Sequence, residues 1–303
     1  MRLRTVLATL VLAAVALGGQ PATAATPVTI AYARWTHTWE LVLTDGHVVK
    51  VPEALAVAPP DAVNPGARAA FLVSGDGRRF FYFRKSDGRF AERTLHGREH
   101  VIRDLTVATT GEEWPSVSYD GGFVVTKTSA PGLGALLDLR KGRSLPLPGK
   151  TDTWNFAGFS PDGARLLMQG EDGRMTVFDR GLRTRLRSKT RLWATALAND
   201  HVTAAEPVGS WPKSRTLRLV DLRTGKASRT VTVRLPRGRR IDDLDFDKAG
   251  HLVVRSKTET GVTVYRVSKT TGVVTRVRSL VRPDAKIWVL PGDDAYEPWT
   301  EKK

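Results

Sequence analysis

The chain has 303 residues, 41% of them apolar, which suits one large all-β domain or two smaller ones and argues against disorder as its main state. It has no cysteine, so disulfides, Cys-ligated metals, thiol catalysis and a lipidated N-terminal cysteine are excluded. A formal charge of +16 points either to anionic partners or to an arginine-rich surface that only keeps the protein solvated.

In chain order, Arg2 and Arg4 precede an apolar run from Val6 to Gly18 and the small-residue pattern Ala22-Thr23-Ala24. Residues 1–24 therefore have the form of a secretory signal peptide. The apolar run is shorter than the ~20 residues of a membrane anchor, so export is expected, with no membrane span in the mature chain. Removing Arg2 and Arg4 with the leader still leaves +14. Outside the cell such a charge favours protein, peptide or anionic cell-envelope polymers as partners, and nucleic acid is not expected.

Val28 to Trp35, Trp39 to Asp45 and His47 to Pro52 read as three strands, the last two joined by Asp45-Gly46. A Pro/Ala-rich connector from Glu53 to Ala69 follows. The next unit has strand breaks at Gly77, Gly88 and Gly97, and a third has them at Gly121, the Ala130-Pro131-Gly132 loop and Gly142. Phe156 to Ser188 is the clearest unit, four strands punctuated by Asp162-Gly163, Asp172-Gly173 and Arg180-Gly181. A fifth unit breaks at Asp200-His201, around Trp211 and at Gly225, and a sixth at Gly250, Gly261 and Gly272.

With the strands of each unit lettered a to d, the c-to-d turns fall at Gly46, Gly97, Gly142, Gly181, Gly225 and Gly272. Their spacing, 39 to 51 residues, is that of propeller blades. The first unit lacks one strand, and the orphan strand Lys286 to Pro291 is expected to supply it. The fold class expected is thus an all-β propeller of six four-stranded blades, one domain over 27–291, closed by strand 286–291 pairing with the N-terminal blade, with a tail at 292–303. A seventh blade would need irregular strands hidden between Ala54 and Ala67.

Phe159-Ser160-Pro161-Asp162-Gly163-Ala164-Arg165-Leu166 resembles the F-S-P-D-G element of the WD40-like propeller repeats of TolB-type proteins. Val73-Ser74-Gly75-Asp76-Gly77 and Val117-Ser118-Tyr119-Asp120-Gly121 are looser copies. Together with the leader, the layout is similar to secreted WD40-like propeller proteins of actinobacteria. The resemblance implies an interaction role and names no partner.

Antiparallel order puts the a-to-b and c-to-d hairpins on one face of the ring and the b-to-c and d-to-a loops on the other. Trp114, Trp154, Trp193 and Trp288 open strand a of four blades on the second face, with Trp35 and Trp211 in adjacent loops. These indoles are expected to line a funnel suited to stacking on sugars or gripping apolar side chains, with polar contacts from Glu113, Asp152, Arg240 and Asp243. The competing reading is that they fill space between blades. His96-Gly97-Arg98-Glu99-His100 fits a zinc-peptidase string, but in a strand the two histidines and the glutamate fall on opposite faces. Asp243, Asp245 and Asp247 alternate at the start of the sixth blade without the Gly and Glu of a calcium loop.

The sequence thus predicts a secreted monomeric binding module, with no catalytic residue, metal or cofactor assigned. Two rivals are a propeller hydrolase or lyase using Glu113, Asp152 and Asp243 near the channel, and a scaffold for protein assembly.

Overall fold

The computed structural model describes residues 27–62, 65–106, 113–128, 134–148, 151–209, 214–281, 285 and 287–292; of these, the side chains of 103–106, 113–114, 127–128 and 151–155 are not described. Blade one takes β1 (Ile30–Trp35), β2 (Trp39–Leu43) and β3 (Val48–Val51). Blade two takes β4 (Phe71–Val73), β5 (Arg79–Phe83), β6 (Arg89–Thr94) and β7 (His100–Thr106). Blade three comprises β8 (Glu113–Val117), β9 (Phe123–Thr128), β10 (Ala135–Asp138) and β11 (Arg143–Pro146). Blade four comprises β12 (Thr151–Phe159), β13 (Arg165–Gly170), β14 (Arg174–Asp179) and β15 (Thr184–Arg191). Blade five comprises β16 (Ala196–Leu197), β17 (Thr203–Val208), β18 (Thr216–Asp221) and β19 (Lys226–Thr232). Blade six comprises β20 (Asp243–Phe246), β21 (Leu252–Thr258), β22 (Gly261–Val267) and β23 (Val274–Val281). Each is an antiparallel meander, and β24 (Ile287–Val289) returns to blade one.

The protein is a six-bladed β-propeller. In β24, Val289, Trp288 and Ile287 pair with Ala33, Arg34 and Trp35 of β1, so the last strand completes the first sheet. Among its described residues, the connector after blade one forms no seventh blade. It makes two isolated bridges, Ala54 with Arg84 and Val57 with Arg68. Ala58, Ala62 and Ala69 pack it against Phe81, Phe83 and Phe90 of blade two.

The Ser-x-Asp-Gly turns owe their recurrence to a shared hydrogen-bond pattern. Ser74, Ser118 and Ser160 each donate their hydroxyl to the aspartate two residues on, at 2.6, 2.9 and 2.6 Å. The same hydroxyls accept from the N–H of Arg79, Phe123 and Arg165, which closes the a-to-b hairpin. The turns also join blades: Asp76 N–H donates to Tyr119 C=O at 3.0 Å, and Asp162 N–H to Asn199 Oδ1 at 3.0 Å. At Gly272, in the last c-to-d turn, φ is +70° and a Cβ would stand 1.9 Å from Thr232 O of blade five. Only glycine allows that approach.

Cores lie between successive sheets. Blades one and two share an aromatic one, in which Trp39 stacks on Phe71 at 4.2 Å and Phe71, Phe80 and Tyr82 continue the stack. Blades four to six are filled mainly by aliphatic residues such as Leu167, Val177, Val220, Leu217, Leu252 and Val254. First strands of neighbouring blades touch, so β4, β8, β12, β16, β20 and β24 are the inner strands.

Candidate functional site

The tryptophans divide between core and surface. Trp288, expected in a funnel, is instead 1% exposed. It packs with Val262, Leu290, Leu280 and Tyr32, edge to face with the tyrosine at 6.3 Å, and seals the junction of blades six and one. That is a correction with a plain cause: the closing strand is inner on both sides, so its large apolar ring is drawn into the interface. Trp35 is half-buried against the blade-one core. The side chains of Trp114, Trp154, Glu113 and Asp152 lie outside those described, as does the whole of Trp211. Arg240 pairs with Asp242 at 2.8 Å, and Asp243 stands 3.5 Å from Arg255; neither lines a cleft with the tryptophans.

Trp193 is the exception, 63% exposed in the link between β15 and β16. It stands over an open cleft of about 450 Å³ between blades four and five, on the face of the d-to-a loops. The backbone beneath the indole is clamped from three sides. Gln169 Nε2 donates to Leu192 C=O at 2.7 Å, Leu192 N–H donates to Gly173 C=O at 3.1 Å, and Trp193 N–H donates to Glu206 Oε2 at 3.1 Å. Gln169 and Glu206 are both buried, at the ends of β13 and β17, and the Glu206 carboxylate is ion-paired with Arg218. An exposed ring is thus held by buried polar groups.

A smaller cleft of about 140 Å³ lies behind the indole, lined by Phe156, Ala157, Gln169, Met175, Ala194 and Thr195. The buried Thr195 hydroxyl has no hydrogen-bond partner among the described residues. A flat apolar face beside polar acceptors and donors suits a ring that also carries hydroxyl or charged groups.

No family model matches the chain, and no curated protein matches its sequence. Solved structures do show likeness. TolB from Acinetobacter baumannii is 16% identical, with 86% of this chain and 65% of TolB covered and a TM-score of 0.47. Hydrazine synthase of Kuenenia stuttgartiensis is 14% identical over 74% of this chain and 67% of its own, at 0.41. Porphyromonas gingivalis dipeptidyl peptidase 4 is 12% identical, covering 72% and 40%, at 0.39. The chain spans less than two thirds of the TolB and peptidase chains. At these scores the fold rests on its own sheet order, and the site on its own geometry.

Other sequence candidates are engaged elsewhere. Glu99 of the zinc-like string accepts from Tyr82 Oη and from Arg84 Nη1, the latter at 2.7 Å, while His100 lies 3.7 Å from Glu92. Among the described residues no three His, Asp or Glu side chains gather as metal ligands would. Asp245 on the inner strand β20 is exposed but crowded by surrounding protein; lost hydration, then the Asp243 charge, pushes its carboxyl up to about 7.

Sequence reading missed Gln169, Glu206 and Arg218. In the sequence, each reads as an ordinary polar residue of an alternating strand. A signal was present in Gln169 and Glu206, which occupy equivalent ends of strand b in adjacent blades.

Proposed function

We propose that the chain is a secreted binding module that takes its ligand in the Trp193 cleft between blades four and five, stacking a sugar ring or an apolar side chain on the indole. The observation that carries this is a largely exposed tryptophan on a backbone fixed by the buried Gln169 and Glu206. Leaving so much apolar ring in water costs about 25 cal/mol per Å², and covering it with a ligand recovers that energy. The rigid backbone lowers the ordering cost of binding. The leader at 1–24 fits export, and the propeller acts as a single domain.

Catalysis at the channel mouth has less support. Of its three candidate carboxylates only the Asp243 side chain is described, and that one faces Arg255. Glycan and peptide arrays probed with the wild type and Trp193→Ala test the reading. Loss of the signal with an unchanged melting temperature is expected. Equal signals from both proteins would reject the cleft.

A further inference from the structure

The cleft opens onto the most basic part of the molecule. Residues 27–148 hold 15 Lys/Arg and 13 Asp/Glu, whereas residues 151–281 hold 25 and 13. The surplus of positive charge therefore belongs to blades four to six, and it is dense beside Trp193.

Strand β15 ends in a bulge, with Arg187 opposite Thr176 but Arg191 opposite Arg174. Ser188 fixes that bulge: its hydroxyl accepts from Met175 N–H at 3.0 Å and donates to Thr190 C=O at 2.7 Å. Two exposed guanidinium groups are thereby set directly across from each other at the cleft rim, an arrangement that destabilises a sheet. Asp172 is shared between Arg187 at 2.7 Å and Arg174 at 3.6 Å. Its carboxyl is held below the usual carboxylate range; lost hydration opposes this, and the Arg174 N–H and the charges of Arg187 and Arg174 outweigh it. Lys189 and Arg191 make no ion pair among the described residues. Asp172 thus balances two guanidinium groups, and the unpaired Arg191 stands opposite one of them.

We infer that the ligand of the Trp193 cleft is an acidic polysaccharide, whose sugar ring stacks on the indole while its anionic groups meet Arg191 and the Arg174 opposite it. The inference rests on the binding reading above and names its ligand class. A single-stranded nucleic acid, which stacks its bases on aromatic side chains, is the outcome the test below separates. The Glu206 carboxylate under the indole suits a hydroxyl donor better than a phosphate.

Calorimetric titration of the full chain with polygalacturonate, dextran sulfate, neutral dextran and single-stranded DNA tests the proposal and separates carboxylate from sulfate recognition. At least one acidic glycan should bind ten-fold or more tighter than dextran and weaken as NaCl rises from 50 to 500 mM. Arg174→Gln with Arg191→Gln should cost ten-fold or more, with melting unchanged or raised. Equal binding of dextran, an unaffected double variant, or absence of binding by both acidic glycans would overturn the acidic class. DNA binding as tight as that of the acidic glycans would reassign the basic row and likewise overturn it. Acidic-glycan binding that survives Trp193→Ala would instead reject the cleft itself, which keeps the two failures apart.

Discussion

Blades one and two close around stacked aromatic rings, with Trp39 on Phe71 and Phe80 beside Tyr82, and blades one to three are nearly balanced in charge. Blades four to six build the same four-stranded sheets around aliphatic residues and carry almost all the excess arginine and lysine. The architecture tolerates both fillings, because each sheet asks only for apolar residues at alternate positions. Charge imbalance is therefore no requirement of the fold. It is confined to the half that also exposes Trp193, where the proposed site lies.

The sharpest test of this division compares two tryptophans. Trp288→Ala should remove about 3–5 kcal/mol of stability in denaturant unfolding, through the cavity left at the closing junction. Trp193→Ala should stay within about 0.5 kcal/mol of the wild type and lose ligand. Similar stability costs would erase the distinction between packing and binding indoles.

Gly272→Ala should come next. The new methyl meets Thr232 O in a left-handed backbone, for about 2–3 kcal/mol, read as a lower denaturant midpoint with ligand affinity retained.

A third test concerns pH. The Asp245 carboxyl binds its proton more tightly in the folded chain, at about 7, than in the unfolded chain at 3.8. Below pH ~4 both states hold the proton and the group has no effect. From there to pH ~7 only the folded state holds it, so its contribution falls as pH rises. Asp245→Asn should therefore raise the melting temperature at pH 8 and leave it unchanged at pH 4; a gain only at pH 4 would contradict the assigned environment.

The smallest effect is expected at the cleft rim. Arg174→Glu replaces a repulsive cross-strand pair with an attractive one and should add about 0.2–1 kcal/mol while weakening an acidic ligand. Stability lost there would mean the two guanidinium groups do not oppose each other.

Strand breaks at glycine and Asp-Gly turns made the blades legible, because reversals such as those at Gly46, Gly142, Gly225 and Gly272 use a left-handed backbone that few residues other than glycine adopt. The missing strand of the first unit likewise pointed to Ile287–Val289. The fate of each tryptophan was not legible. Trp193 and Trp288 both precede or open an inner strand, and what separates them is the neighbouring sheet: Val262 and Leu280 cover one, while nothing among the described residues covers the other. Contacts between blades have no local signature in the sequence. For the same reason the matched strand positions of Gln169 and Glu206 did not show that Glu206 would hold the Trp193 backbone.

Pairing of Ala33 with Val289 has a temporal consequence. At roughly 5–20 residues per second, a ribosome needs on the order of 10–50 s to reach Val289 after finishing Ala33. Throughout that interval β1 offers a bare hydrogen-bonding edge with no partner of its own, the kind of edge that invites pairing between chains. Only the emergence of Val289 gives that edge its partner.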